Sequence, residues 1–143
     1  MSVFSSMQIN ASGLSLERLK MDTISTNIAN INTTRTEEGG PYQRKEVVFE
    51  ENLKAVKNKL NGSYENKSMG VKVTGIIDDN EDLKVVYDPS HPDADEDGYV
   101  FFPNVNLVDE IINLIKVQRT YEANVTALNT SKTILKRALE ISK

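Results

Sequence analysis

LVDEIINLIKVQRTYEANVTALNTSKTILKRAL, residues 107–139, is the stretch whose reading decides the fold. Alternating steps of four and three from Leu107 reach Ile111, Leu114, Gln118, Tyr121, Val125, Leu128, Lys132, Leu135 and Leu139. All of these but Gln118 and Lys132 are apolar, which is a 3.5-residue repeat carried over 33 residues. Ile112, Ile115 and Ile134 lie beside the stripe and widen it. No Gly or Pro follows Pro103, and Asn106 stands where a cap belongs, with Asp109 in the first turn near the positive end of the helix dipole. The pattern predicts one helix of about 36 residues, roughly 54 Å long.

Working outward, the opposite end repeats the theme. Met7, Leu14, Met21 and Ile28 are spaced by seven. Ile24 and Ile31 fill intermediate positions, while Asn10 and Glu17 do not. Gly13 weakens a helix by up to about 1 kcal/mol without forbidding it. The helix is expected to close near Asn30 to Asn32, since Asn tolerates the left-handed conformation and β-branched Thr33 and Thr34 follow.

Between the helices the pattern changes. Val47, Val48 and Phe49 suggest one strand, Val71, Val73, Ile76 and Ile77 a second, and Leu83, Val85, Val86 and Tyr87 a third, punctuated by Gly62, Gly70, Pro89, Pro92 and Gly98. EENLKAVKNKL at 50–60 fits a short helix or a strand equally well. The expected architecture is therefore mainly α, with long N- and C-terminal helices in a coiled-coil-like pair and a small β-rich central insertion. Its parts are an assembly helix at 1–36, the insertion with loops at 37–103 and a second assembly helix at 104–143.

With 143 residues, one domain is expected. Charge is distributed unevenly along it. Residues 1–36 carry a net +1 and residues 104–143 a net +2, while residues 37–103 hold eight basic against fifteen acidic groups, for −7. An acidic middle with no Lys/Arg cluster argues against nucleic acid. Cysteine is absent, which removes disulfides and thiolate metal sites. No run approaches the ~20 apolar residues of a membrane span. The opening MSVFSSMQINASGLSL lacks the basic region of a secretory leader, so any export is expected to proceed without a cleaved signal.

Two helices with apolar stripes must bury them somewhere. About a dozen buried apolar side chains, each worth roughly 1.5–3 kcal/mol, barely offset backbone ordering at roughly 1–2 kcal/mol per residue. Lateral packing against other chains would supply the remainder, so the energetics favour an assembly subunit.

Candidate chemistry is sparse. DADEDG at 93–98 matches the first half of a calcium loop, but its twelfth position is Asn104 rather than Glu, and Pro89 and Pro92 break any incoming helix. A solvated acidic turn bonded to its own amides is the better reading. His91, the only histidine, has no Cys or nucleophile to work with and reads as a packing or turn residue. No catalytic residue, metal ligand, cofactor or small-molecule substrate is expected.

Four further segments carry a resemblance. NIANINTT at 27–34, GGPYQRK at 39–45, VYDPSHPDADEDGYVFFPNVNLVDEI at 86–111 and RTYEANVTALNTSK at 119–132 resemble, in order, the signatures of the flagellar rod and hook axial proteins, and the second and third resemble its proximal rod branch. Gln43 departs from that pattern, in which a basic residue would precede Arg44. The resemblance implies terminal helices in the inner wall of a tubular rod, export unfolded through the flagellar type III apparatus, and no catalysis. It implies as partners the chain itself, the proximal rod proteins FlgB and FlgF, the distal rod protein FlgG and the junction protein FliE. The residues expected to pack subunits together are Met7, Leu14, Met21, Ile24 and Ile28 at one end and Ile111, Leu114, Tyr121, Val125, Leu128 and Leu135 at the other. Asn27, Asn30, Asn124 and Asn129, on or near these faces, are read either as caps and solvent-facing groups or as register-fixing hydrogen bonds between subunits. The competing reading is a soluble coiled-coil adaptor, with calcium modulation as its variant.

Overall fold

A computed structural model describes residues 3–57 and 64–141. Helix α1 spans Val3–Ala29, strand β1 Lys45–Lys57, strand β2 Tyr64–Asp78, strand β3 Lys84–Tyr87, strand β4 Tyr99–Phe102 and helix α2 Leu107–Ile141. β1 pairs with β2 and β3 with β4, in two separate two-stranded sheets. The chain divides into two compact units. One comprises Met1–Leu19, Val48–Gly75 and Val117–Lys143, the other Lys20–Val47 and Ile76–Lys116. Each long element contributes to both.

Both helix boundaries follow from local chemistry. At the start of α2, Asn106 Oδ1 accepts the Val108 amide at 3.0 Å, and its carbonyl accepts the Glu110 amide at 3.0 Å. At the end of α1, the expected left-handed Asn is not used, since no described non-glycine residue has a positive φ. Asn30 instead turns its side-chain amide back onto the Thr26 carbonyl at 2.9 Å, which also accepts the Asn30 backbone amide at 3.1 Å, so backbone and side chain close the last turn together.

The expectation of a mainly α chain with a coiled-coil-like helix pair is not met. Four strands of 13, 15, 4 and 4 residues accompany helices of 27 and 35. The ambiguous EENLKAV stretch continues β1 by pairing with β2, and Glu50 at its start meets Lys72 across the ladder at 3.5 Å, as Lys45 meets Asp78 at 3.1 Å farther along. β4, YVFF, carries no turn signal of its own and was not among the expected strands. Nor do the helices bury a seven-residue seam. The wholly buried residues of α1 are Leu16, Glu17, Thr23, Ile24 and Asn27, whereas Met7, Leu14, Met21 and Ile28 are only half-buried. Along α2 the single buried residue is Glu110. The helical period on α2 survives as a half-buried row, Leu114, Val117, Tyr121, Asn124, Leu128, Ser131 and Leu135, in which Asn124 and Ser131 take the places expected of large apolar groups. Small and polar residues there allow close approach rather than knobs-into-holes packing. A Cβ on Gly13 would lie 2.9 Å from Asn124 Nδ2, so α1 and α2 come together at a glycine and an amide.

In the same unit, Gly70 interrupts β2 with φ +103. The bend lets the Val71 amide donate to Ser12 Oγ on α1 at 3.1 Å, and a Cβ at Gly70 would collide with that hydroxyl and stand 3.2 Å from Ile9 Cα. In the other unit, the core holds Ile24, Tyr42, Val47 and Val100.

Candidate functional site

The densest arrangement of functional groups is a polar latch inside the unit Lys20–Val47 with Ile76–Lys116. Asn27, on the last turns of α1, is buried together with Glu110 of the first turn of α2. Asn27 Oδ1 accepts from the Tyr42 hydroxyl at 2.8 Å and from the Lys45 amide at 2.9 Å. Its Nδ2 donates to the Lys45 carbonyl at 2.9 Å and to Glu110 Oε2 at 3.1 Å. The side-chain amide thus pairs with both backbone groups of Lys45 as a neighbouring strand would, closing the outer edge of β1 at its first residue. All four of its hydrogen-bonding positions are filled.

Arg44 extends the latch. Its Nε donates to Glu110 Oε1 at 2.7 Å and a terminal nitrogen to Asp79 Oδ2 at 3.1 Å. Its backbone amide donates to Asn104 Oδ1 at 2.8 Å, its carbonyl accepts from the Asp79 amide at 2.7 Å, and Asn104 Nδ2 donates to the carbonyls of Asp79 and Glu81. Burial opposes the charge on Arg44, but its hydrogen bond to Glu110, the charge of Glu110 and the carboxylates of Asp79 and Glu46 outweigh that and hold the guanidinium above its ordinary range. Burial pushes the Tyr42 phenol up, assisted by the charges of Asp78 and Glu110. Among the described residues no buried side-chain polar atom lacks a partner. A buried ion pair of this kind fixes one geometry rather than adding much stability. Here it ties the end of α1, the start of β1, the end of β2 and the start of α2 into one register.

The acidic turn also works internally. Asp95 Oδ1 accepts the amides of Asp97 at 3.0 Å and Tyr99 at 2.7 Å, while Asp93 accepts the Thr34 hydroxyl at 2.8 Å. Gly98, at φ +84, closes the turn, and a Cβ there would stand 3.0 Å from the Tyr87 ring. Asp88 accepts the hydroxyl and the amide of Ser90, which hold its carboxyl below the usual range. His91 Nδ1 accepts the Asp93 amide at 3.1 Å and the ring lies edge-on to Phe102. Among the described residues, no three His, Cys, Asp or Glu side chains are grouped to hold a metal, and no helix is long and apolar enough to cross a membrane.

The residues expected to pack subunits fall into three environments. Ile24 and Asn27 are buried within their own unit. Met7, Leu14, Met21, Ile28, Asn30, Leu114, Tyr121, Asn124, Val125, Leu128 and Leu135 are half-buried. Ile111 and Asn129 are exposed, as are Leu107, Val108, Ile112, Ile115, Ile134 and Leu139. The sequence reading missed Tyr42, Arg44, Asn104 and Glu110. All four lie inside the quoted segments GGPYQRK and PNVNLVDEI in positions that a pattern reader assigns to solvent, and Glu110 in particular looks like an ordinary first-turn acid.

The family described as "Flagella basal body rod protein" matches residues 7–35, and the C-terminal family of flagellar basal-body rod FlgEFG proteins matches residues 96–141. A flagellar basal-body rod protein FlgC from Borreliella burgdorferi is 42% identical over 99% of this chain and 98% of its own. The FlgC of Bacillus subtilis is 42% identical over the whole of both chains. That of Salmonella typhimurium is 32% identical, again over the whole of both. Both family matches overlap the latch, the first through Asn27 and the second through Asn104 and Glu110.

Proposed function

The chain belongs to the FlgC family of flagellar basal-body rod proteins, and from that premise we propose that it serves in the proximal rod, carrying torque from the motor to the hook. It is a structural subunit of the basal-body rod, it assembles with other rod components, and it is not an enzyme. The observation that carries the torque reading is the contrast between its two kinds of surface. The interior register is fixed by directional polar bonds, while α2 buries no apolar side chain completely and exposes Leu107, Ile111, Ile112, Ile115, Ile134 and Leu139. A subunit stiff within and unfinished without is suited to a shaft, in which neighbours complete each other's cores.

The half-buried row of α2, Asn124 included, with Met7, Leu14, Met21 and Ile28 of α1, is the surface on which neighbours would pack, and exposed Asn129 stands beside it. Asn27 and Asn30 contribute indirectly, by fixing the shape of the unit. The neighbours are other copies of this chain, FlgB and FlgF in the proximal rod, FlgG toward the distal rod and FliE at the junction. Export without a cleaved signal would bring the chain to the rod outside the cytoplasmic membrane. Mass spectrometry of salt-washed, detergent-extracted basal bodies tests the assignment. The chain is expected there together with those four proteins. Its retention in the soluble fraction of flagellated cells would overturn the reading.

A further inference from the structure

The β3–β4 ribbon has one face too many that is apolar. Its register sets Val85 opposite Phe101 and Tyr87 opposite Tyr99 on one face, and Val86 opposite Val100 on the other. The second face is the covered one, with Val100 completely buried. On the first, where a half-covered antiparallel ribbon ordinarily turns polar groups to water, Val85, Tyr87, Tyr99 and Phe101 are 52%, 64%, 44% and 44% exposed. Tyr87 and Tyr99 already meet edge to face at 5.3 Å, which makes the patch a preformed aromatic floor. Carboxylates border it at both ends: Glu81 and Asp82 before β3, and Asp95, Glu96 and Asp97 before β4.

A matching surface stands exposed on the same chain. Val108, Ile112 and Ile115 follow one another at i, i+4 and i+7 along one face of α2, a ridge roughly 10 Å long. Lys116 and Arg119 come next on that side of the helix. The ridge is apolar with a cationic end, and the floor is apolar with anionic ends. Both are exposed in a single chain, so neither covers the other. We propose that the aromatic face of the β3–β4 ribbon receives the Val108–Ile115 ridge of a second copy, with Lys116 and Arg119 directed to the acidic border. The contact is heterologous, since each copy offers one floor and one ridge, and it therefore propagates instead of closing a dimer. Four half-exposed large side chains offer on the order of 400 Å² per partner, about 800 Å² over both, which is below the roughly 1,200 Å² total of a stable pair. A single contact is too small to hold two free chains together, and it forms where other rod contacts raise the local concentration. In that respect the proposal rests on the rod-subunit reading.

The absence of cysteine makes the test clean. A chain carrying both F101C and I112C is expressed in flagellated cells lacking the native gene, and basal bodies are oxidised and run without reductant. The double variant is expected to give a ladder of dimers and higher species. Each single variant and an F101C/L139C control are expected to give at least tenfold less. The purified double variant, oxidised at about millimolar concentration, is expected to give the same ladder weakly, and several-fold less when salt is raised to about 0.5 M. Incorporation into basal bodies with no ladder there overturns the proposal and leaves the rod reading intact. No incorporation of the wild-type chain overturns the rod reading, and the proposal then stands or falls on the purified F101C/I112C ladder and its loss when V108D is added to that double variant.

Discussion

Asn27 makes four hydrogen bonds, one each with Tyr42 and Glu110 and two with the Lys45 backbone, and so joins α1 to the start of β1 and the start of α2. N27A would leave the Tyr42 hydroxyl, Glu110 Oε2 and both backbone groups of Lys45 without a partner. With each unsatisfied buried group costing roughly 1–3 kcal/mol and water relieving part of it, a loss of about 3–5 kcal/mol is expected in urea denaturation. A change below about 0.5 kcal/mol would show that the latch does not hold the unit. N27D is expected to fail as well, because it keeps the acceptors, loses both donors and sets a carboxylate against Glu110. Tyr42 adds a pH signature. Its raised phenol pKa means that above the unfolded value of 10.0 the unfolded chain releases its proton first. Stability from this group is therefore complete below pH 10 and declines as pH rises through and beyond it. Y42F is expected to lower stability at neutral pH by about 1 kcal/mol through the lost hydrogen bond. It is also expected to flatten the decline on the alkaline side, measured by thermal melts across that range.

At the scale of elements, two glycines mark where strand and helix meet α1, and they should respond differently. G70A combines a left-handed backbone with a Cβ driven into Ser12 and close to Ile9, and is expected to cost about 2–4 kcal/mol. G13A gains up to about 1 kcal/mol of helix propensity. It meets only the end of the Asn124 side chain, which can rotate away, so its net effect is expected to lie within about 1 kcal/mol of zero. Chemical denaturation of the two variants side by side reads the difference, and equal effects would mean that the β2 bend is not required for docking on α1. The element reading of the sequence succeeded where periodicity was long, on both helices, and where apolar β-branched residues clustered, on β1 to β3. It stopped short on EENLKAV, which becomes strand by pairing with β2, where Glu50 meets Lys72 22 residues on, and on YVFF, whose four apolar residues become a strand only by pairing with Lys84–Tyr87.

Taken whole, the molecule is asymmetric in how firmly its parts are held. From Lys132 to Ile141 every residue of α2 except Leu135 is exposed, whereas Arg44 is half-buried and bonded at both its side chain and its backbone. Trypsin is expected to cut the free chain first after Lys132, Lys136 and Arg137, and after Arg44 only much later. Mass spectrometry of an early time course checks the order, and early cleavage after Arg44 would contradict the latch. In assembled rods the α2 sites are expected to be protected, because the surface that carries them is the one neighbours would cover.

The sequence alone determined the two long helices, their approximate ends, the acidic middle, the absence of thiol chemistry and membership in the rod family, because each is written in local order: a 3.5-residue period, a cap, a count, a run of matching residues. Only the tertiary structure decided that the helices do not form an apolar seam, that Asn27 and Glu110 face inward, and that Val85, Tyr87, Tyr99 and Phe101 face out. A polar side chain is buried when distant segments bring donors to it, and an apolar one stays exposed when no segment of its own chain reaches it. Both outcomes depend on pairings between residues distant in sequence, 66 apart for Arg44 with Glu110 and 16 for Val85 with Phe101, which no local pattern encodes.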